Sequence, residues 1–413
     1  MLLCFPVLGM GHLTPFLRLA VTLDAHGCMV SFRPTVSLAE SSHLNHFLST
    51  HPRIQSLEFH ILPLELDPAT ANSHPALCSP SLSPPLSSLV IDILLADAVA
   101  PVAANLSLPN YILFTSSAKM LALVAHFPTI ADTSSRIPKS WIPPPLFNPA
   151  HLFTTLIKAN GGALIHSKGI LINTFESLER ESLSVLNNGT VVSGLPPVLA
   201  IGPLEPYEYK NGPWLAWLDA QPEESVVYVS FGSRTALPKE QIKELGTGLE
   251  RSGYKFLWVL KGMKVDTEDE EELVDLVDHG FLERVKDKGV VIKDWVDQTE
   301  ILAHKVIGGF VSHCGWNSVT EAAYQGVPIL AWPQYGDQKI NAEVVKWGWG
   351  GEELVSGDEI GMRIGELMEN NQLKRQARHL RGEARKAVGS GGNSDQLLTA
   401  AIMHMCEKTQ TIN

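Results

Sequence analysis

The chain has 413 residues, enough for two domains of about 200 residues each. Hydrophobic residues make up 45% of it and charged residues 18%, so the chain can bury large cores, and wholesale disorder is excluded. The net charge of −12 at pH 7 argues against a nucleic-acid-binding protein, which would carry a basic face.

The cysteines and the amino-terminal segment bear on the compartment. Five cysteines, an odd number without a C-x-x-C spacing, disfavour a disulfide framework or a structural zinc and fit a reducing environment. The apolar start lacks the basic residues of a signal peptide, since the first positive charge is Arg18. No stretch reaches the roughly 18 apolar residues of a membrane span. We therefore expect a soluble, cytoplasmic protein and a monomer.

The first half alternates short apolar runs with helical stretches, a pattern typical of an α/β domain with a parallel sheet. Residues 1–8 predict a first strand. Thr14 is then expected to cap a helix that has Pro15 at its first position and ends at Gly27. The other strands of this half are predicted at residues 28–33, 57–62, 88–92, 111–114 and 169–173.

The second half repeats this alternation but is more polar. It holds 56 charged side chains, against 20 in the first 200 residues, so the first half could house an apolar ligand or simply a larger core. Residues 195–204, rich in proline and glycine, are the expected linker between the halves. Strands of the second half are predicted at residues 225–231, 255–260, 306–311 and 329–332.

The first turn after a strand reads Gly-Met-Gly-His and ends at His12. A dinucleotide-binding turn would be G-x-G-x-x-G, and Thr14 stands where the third glycine should be, which weakens the case for a nicotinamide oxidoreductase. His12 follows the carboxyl end of strand one, where open parallel sheets bind ligands, although such a histidine is more often a plain turn residue. Asp92 ends another strand at that edge and could hold the imidazole as a general base. Asp97, in the following helix, is the competing partner.

Residues 295–338 carry the most specific pattern. The motif His-Cys-Gly-Trp-Asn-Ser, residues 313–318, follows a predicted strand and opens a helix, whose unpaired main-chain N–H groups suit a diphosphate. One turn further, Glu321 could accept hydrogen bonds from a ribose diol. Trp295 offers a flat face for a base. Singly, Trp295 could be a core residue and Glu321 a solvated charge, but the whole set in this order indicates a nucleotide-sugar site.

This stretch resembles the plant secondary-product glycosyltransferase box of family 1 UDP-sugar glycosyltransferases, whose hallmarks here are Trp295, Gln298, the motif at 313–318, Glu321, Pro328, Asp337 and Gln338. The resemblance implies an α/β chain with the GT-B fold, in which two Rossmann-like parallel-sheet domains face each other across a cleft. It also implies a C-terminal helix that crosses back onto the first domain. The domains expected are an acceptor-binding domain, a UDP-sugar-binding domain and this helix, at residues 1–200, 201–393 and 394–413.

The resemblance also implies roles for individual residues, along a donor bound as UDP-glucose. The nucleoside would contact Trp295, the Val296 main chain, Gln298 and Glu321. The diphosphate would contact Ser233, His313, Asn317 and Ser318, and the sugar Trp316, Asp337 and Gln338. Gly315 would be a further donor-binding residue. A final glutamine in the box is associated with glucose in this family. No cofactor is implied, and because the chain has no Asp-x-Asp, a metal-bridged diphosphate is not expected.

Five further stretches resemble plant C-glucosyltransferases that act on flavonoid-type polyphenols, namely residues 9–20, 142–153, 167–179, 231–237 and 332–338. This implies inverting glucose transfer to a phloroglucinol-like ring, as in 2-hydroxyflavanones or phloretin, with His12 and Asp92 as the catalytic pair. O-glucosylation of plant phenolics is the alternative. An NAD-dependent oxidoreductase and a catalytically silent UDP-sugar-binding protein are more distant ones. Abrupt joins near 72–74 and 134–136 fall in expected acceptor-side loops.

Overall fold

The computed structural model describes residues 1–7, 9–32, 38–56, 85–129, 142–207, 212, 214–233, 235–261, 273–277, 279–294, 296–349 and 354–406. Several features predicted above fall outside these residues. They are the strand at 57–62, the joins at 72–74 and 134–136, Trp295, and residues 407–413 of the C-terminal segment.

The N-terminal unit alternates strands and helices. Its elements are β1 (Leu2–Phe5), α1 (Met10–Ala25), β2 (Val30–Phe32), α2 (Leu38–Thr50), β3 (Gln55–Ser56), β4 (Ser88–Asp92), α3 (Ala96–Asn105), β5 (Asn110–Phe114), α4 (Ala118–His126), α5 (Leu152–Ala163), β6 (Gly169–Ile172), α6 (Glu176–Asn187) and β7 (Val198–Ala200).

The C-terminal unit repeats the alternation and ends in three consecutive helices. Its elements are α7 (Leu215–Asp219), β8 (Val226–Ser230), α8 (Lys239–Ser252), β9 (Lys255–Val259), α9 (Leu273–Val277), α10 (His279–Val285), β10 (Gly289–Ile292), α11 (Gln298–Ala303), β11 (Ile307–Ser312), α12 (Trp316–Gln325), β12 (Ile329–Ala331), α13 (Gln338–Val345), α14 (Gly357–Glu369), α15 (Asn371–Val388) and α16 (Asn393–Cys406).

The described strands form two parallel sheets, each with a reversal of strand order beside its first strand. The N-terminal sheet has the order β3-β2-β1-β4-β5-β6-β7, and the C-terminal sheet has β10-β9-β8-β11-β12. The strands that follow β1 and β8 are therefore added first on one side and then on the other. The strand order reverses between β1 and β4, and between β8 and β11. Ligands of open α/β sheets bind in the crevice at the carboxyl ends of such strands. Both candidate motifs, at His12 and at residues 313–318, follow strands that border these crevices.

Helix α1 begins earlier than predicted. Thr14 does not cap it, because the chain is already helical from Met10, with Gly9 as the N-cap in a positive-φ conformation (φ 112°). Pro15 consequently lies inside the helix rather than at its first position. A proline has no N–H, so the carbonyl of Gly11 loses its usual partner four residues on. That carbonyl accepts instead from Asn317 Nδ2 of the C-terminal unit, at 3.3 Å.

Two strands, β7 and β10, were not predicted from the sequence. Residues 195–204 are more than a linker, because they contain β7, which pairs with β6 as the edge strand of the N-terminal sheet. Strand β10, which pairs with β9, was missed. The prolines within residues 195–204 predicted irregular structure there, although β7 follows Pro197 directly. This strand has only three residues. Edge strands tolerate a neighbouring proline because one side of them needs no ladder partner.

The C-terminal helix packs on the N-terminal sheet. In α16, Leu398, Ala401, Ile402 and Met405 belong to the same buried cluster as Leu2, Cys4 and Phe16. Ser88 Oγ, at the start of β4, donates to the main-chain carbonyl of Met405 at 2.9 Å. Helix α16 therefore packs against β1 and β4, the strands that lead to His12 and Asp92. None of the helices among the described residues is long and apolar enough to cross a membrane.

Candidate active site

A cavity of about 550 Å³ lies between the carboxyl ends of the two sheets. Both units line it. The N-terminal unit contributes the start of α1 and the loop after β5, and the C-terminal unit contributes the ends of β8 and β11 and the start of α12. It takes in all the predicted site residues except Asp92, which lies behind His12, and Trp295, which is outside the described residues. The two motifs found separately in the sequence thus face one space.

His12 and Asp92 form a hydrogen-bonded pair at the N-terminal wall. His12 Nδ1 lies 2.6 Å from Asp92 Oδ2, and Asp92 is fully buried. The second carboxylate oxygen accepts from the main-chain N–H of Leu94 at 2.9 Å. A buried carboxylate held in this way fixes the imidazole with its proton on Nδ1, which leaves the acceptor lone pair on Nε2. The competing candidate, Asp97, is exposed on α3, so the structure pairs His12 with Asp92.

The amino terminus of α12 provides an anion-binding geometry. Gly315 is its N-cap, and no side chain caps the helix, so its first main-chain N–H groups carry no capping bond. The preceding Cys314, at φ 62°, turns the chain from β11 into the helix. A helix start of this kind attracts phosphate.

His313 sits beside this helix start, between two glycines. A Cβ on Gly232 or Gly315 would lie 2.6 or 2.5 Å from its Nε2, so only glycine fits at either position. Burial lowers the pKa of His313 to about 4, which keeps its imidazole neutral near pH 7. Its Nδ1 is a buried nitrogen without a hydrogen-bond partner among the described residues.

Glu321 lies within a buried network rather than at a solvated helix surface. Its Oε2 accepts from Gln298 Nε2 at 2.7 Å, and the same nitrogen donates to Ser318 Oγ at 2.9 Å. Its Oε1 accepts from Arg18 Nη2, in α1, at 2.5 Å. Each carboxylate oxygen can accept a further hydrogen bond. The sequence analysis missed Arg18, although the one arginine within the largely apolar helix 10–25 was a usable signal.

The residues predicted to contact the sugar, Trp316, Asp337 and Gln338, differ in the hydrogen bonds that hold them. Gln338 Oε1 accepts from the main-chain N–H groups of Gln334 and Tyr335, at 2.8 and 3.1 Å, so its amide donors are left for other contacts. Asp337 Oδ2 accepts from Ser116, across the cleft, and from Asn341. The Trp316 indole N–H donates to the carbonyl of Asn173 at 2.8 Å.

Trp316 was expected to contact the sugar, and its indole N–H is used in a hydrogen bond between the two units. Similarly, one amide N–H of Asn317 is used on Gly11 rather than in the anion site, while its main-chain N–H remains at the helix start. Ser233 and Val296 also line the cavity. Chemically, an imidazole oriented by a buried carboxylate faces an anion site across one cavity, which suits transfer of a group away from a phosphate.

Comparisons with known proteins bear on the family of the chain. The family model described as UDP-glucoronosyl and UDP-glucosyl transferase matches residues 184–378. UDP-glycosyltransferase 708G2 of Citrus unshiu is 49% identical over 96% of this chain and 94% of that protein. UDP-glycosyltransferase CGT of Oryza sativa subsp. indica is 45% identical over 97% of this chain and 95% of that protein.

Among solved structures, that of LpCGTa in complex with UDP matches with a TM-score of 0.86 and 42% identity, covering 98% of this chain and 99% of that chain. Similarity of this extent in sequence and in structure excludes the nicotinamide oxidoreductase. The chain is therefore a glycosyltransferase that belongs to the plant family 1 UDP-glycosyltransferases and has their GT-B fold.

Proposed function

We propose that this enzyme transfers glucose from UDP-glucose to a flavonoid-type polyphenol and forms a C-glucoside on a phloroglucinol-like ring. The observation that carries the proposal is the 2.6 Å pair of His12 and Asp92, which faces the anion-binding start of α12 across one cavity. The C-linkage is supported by the five stretches that resemble plant C-glucosyltransferases, and by the 45% identity to a relative named CGT.

The donor would lie along the C-terminal unit, within residues 201–393. Glu321 and Gln298 would hold the ribose and Trp295 would stack on uracil. The diphosphate would sit at the start of α12, where unpaired N–H groups stabilise its negative charge. Glucose would then reach Asp337 and Gln338, at the end of the cavity that adjoins Ser116.

The acceptor would bind in the N-terminal unit, within residues 1–200. One part of the cavity wall in this unit is apolar, as an aromatic acceptor requires. The apolar side chains that line it come from β5, from the turn after β4 and from α4 and α5, namely Ile93, Leu94, Phe114, Met120, Val124, Phe153 and Ile157.

The reaction would be a single displacement at the anomeric carbon. His12 Nε2 removes the proton of an acceptor phenol, and the phenolate shares its charge with the ring carbons ortho and para to the oxygen. The ring carbon between two hydroxyls forms the bond to the anomeric carbon, while the bond to the β-phosphate oxygen breaks and UDP leaves. Loss of the proton from that ring carbon restores aromaticity. Because the α-linked donor is attacked from the opposite side, the product is a β-glucoside.

The atom that reacts would be decided by position. A bound ring presents either its oxygen or its carbon at about 3–3.5 Å from the anomeric carbon, and the closer, aligned atom reacts. With phloretin and UDP-glucose as substrates, we expect a product whose mass increases by one hexose and that survives both β-glucosidase and hot acid. A product that releases free glucose under these treatments would be an O-glucoside and would contradict the C-linkage.

A further inference from the structure

Asp337 occupies the N-cap position of α13 but does not cap that helix. An N-cap aspartate ordinarily accepts hydrogen bonds from the main-chain N–H groups of the first helical turn. Here no side-chain cap bond is formed. Instead, the carboxylate points toward the N-terminal unit, where Ser116 Oγ donates to Oδ2. The orientation of this carboxylate is therefore set from outside its own helix.

A second residue holds the same oxygen. Asn341, one turn along α13 and fully buried, donates from Nδ2 to Asp337 Oδ2 at 2.9 Å and to the carbonyl of Cys314 at 3.2 Å. Its own Oδ1 lies 3.2 Å from Ser116 Oγ. Ser116, Asp337 and Asn341 thus close a small polar network across the cleft, and Asn341 ties it to the turn that precedes α12.

The network holds only one of the two carboxylate oxygens of Asp337. Both bonds to Asp337 end on Oδ2, and no described residue donates to Oδ1. Asp337 is partly exposed and lines the cavity. A carboxylate with one oxygen anchored presents the other in a defined direction, which is what a directional contact to a sugar hydroxyl requires.

We infer that Ser116 is a positioning residue for the donor sugar, which acts through Asp337 and makes the sugar contact dependent on a residue of the N-terminal unit. Ser116 is only 8% exposed, so its hydroxyl is committed to this contact rather than to solvent. This inference rests on the proposed use of UDP-glucose. It predicts that loss of the hydroxyl affects the sugar and not the UDP half of the donor.

The neighbouring serine provides a matched control. Ser117 is fully buried and caps α4 through its side chain, which accepts from the main-chain N–H of Met120 at 3.1 Å. It makes no contact with Asp337 in the described structure. Ser117→Ala should therefore lower thermal stability through loss of a cap, whereas Ser116→Ala should change donor handling.

The test is titration calorimetry of the full chain with UDP and with UDP-glucose, together with initial-rate kinetics. For Ser116→Ala we expect an unchanged Kd for UDP and a kcat/KM for UDP-glucose about ten-fold lower or more, the usual effect of losing a hydrogen bond to a charged group. The preference for UDP-glucose over its C4 epimer UDP-galactose should narrow. Ser116→Thr keeps the hydroxyl, so it should restore most of the kcat/KM for UDP-glucose and most of the preference over UDP-galactose.

Three results would overturn the inference. One is a Ser116→Ala variant with unchanged kcat/KM and unchanged sugar preference. Another is an equal loss of affinity for UDP and UDP-glucose, which would indicate a structural role. A third is an equal effect of Ser117→Ala on sugar preference. A wild-type chain that bound UDP but not UDP-glucose would instead refute the proposed donor, and the role of Ser116 with it.

Discussion

Arg18 and Glu321 form a buried ion pair that joins the two units across the cleft. Arg18 Nη2 donates to Glu321 Oε1 at 2.5 Å, and the two side chains are 6% and 8% exposed. Arg18 Nε is buried without a partner among the described residues. The carboxylate that we assign to the ribose is therefore already balanced by a cation from α1, the helix that also carries His12. Helix α1 therefore contributes to nucleoside binding through Arg18 and also positions the general base, His12.

This pair changes how the role of Glu321 should be tested. Removal of one partner of a buried ion pair leaves the other charge uncompensated, which costs about 3–5 kcal/mol of stability. Glu321→Gln should thus lower the melting temperature and also weaken UDP binding about ten-fold or more, because the ribose loses a charged acceptor worth roughly 1.5–3 kcal/mol. Calorimetry with UDP and a thermal melt measure the two effects.

A double variant separates these two effects. Arg18→Met combined with Glu321→Gln removes both charges and keeps the volumes similar, so the melting temperature should recover toward that of the wild type. UDP affinity should stay low, since the carboxylate is still missing. If UDP bound the double variant as tightly as the wild type, Glu321 would not contact the ribose.

The catalytic pair should fail in a way that depends on the acceptor. His12→Ala should lower transfer to phenols by about 10²–10⁴-fold, the usual contribution of a general base. An acceptor that is already ionised at the assay pH, such as a nitrophenol, needs no proton removed and should lose much less. Asp92→Asn should behave like a milder His12→Ala, because the amide no longer fixes the same tautomer.

Asp97→Asn is the control for this pair, because Asp97 is exposed on α3 and does not contact His12. It should transfer glucose at the wild-type rate. UDP affinity should be unchanged in all three variants. An equal loss with ionised and neutral acceptors in His12→Ala would argue against proton removal by His12.

The sequence was informative where function follows the end of a strand. His12, Asp92 and the motif at 313–318 each come directly after an apolar run, and parallel strands bring such positions to one edge. Contacts between segments that lie far apart in the sequence could not be predicted from it. Nothing local indicates that Gly11, whose helical bond Pro15 removes, will receive Asn317 from 306 residues further along the chain. Ser116 was missed for the same reason, since its partner Asp337 lies 221 residues away.

Asp337→Ala should separate the sugar from the nucleotide. Its carboxylate faces the part of the cavity that we assign to glucose, and no contact with Glu321 or Gln298 is formed. We therefore expect unchanged UDP affinity and a depressed rate of transfer from UDP-glucose. Calorimetry and kinetics on one preparation give both values. A parallel loss of UDP affinity would place Asp337 in the nucleotide site instead.

The last prediction concerns acid stability and follows from His313. Burial lowers its pKa in the folded protein to about 4, below the ordinary value of 6.5. Below about pH 6.5 the unfolded chain binds a proton that the folded chain resists, so this stabilising contribution is complete above pH 6.5 and is lost as the pH falls through 4. The shift corresponds to about 3 kcal/mol of unfolding free energy at most.

Buried carboxyl groups with raised pKa values, such as Glu179, have the opposite slope, so the total curve is not diagnostic. The difference between wild type and His313→Asn isolates the histidine. Denaturant unfolding between pH 7.5 and 4.5 should show a steeper loss of stability in the wild type than in the variant. Saturating UDP should flatten the wild-type curve, because a bound diphosphate favours the protonated imidazole. Parallel curves for the two proteins would mean that His313 is not held neutral by its burial between Gly232 and Gly315.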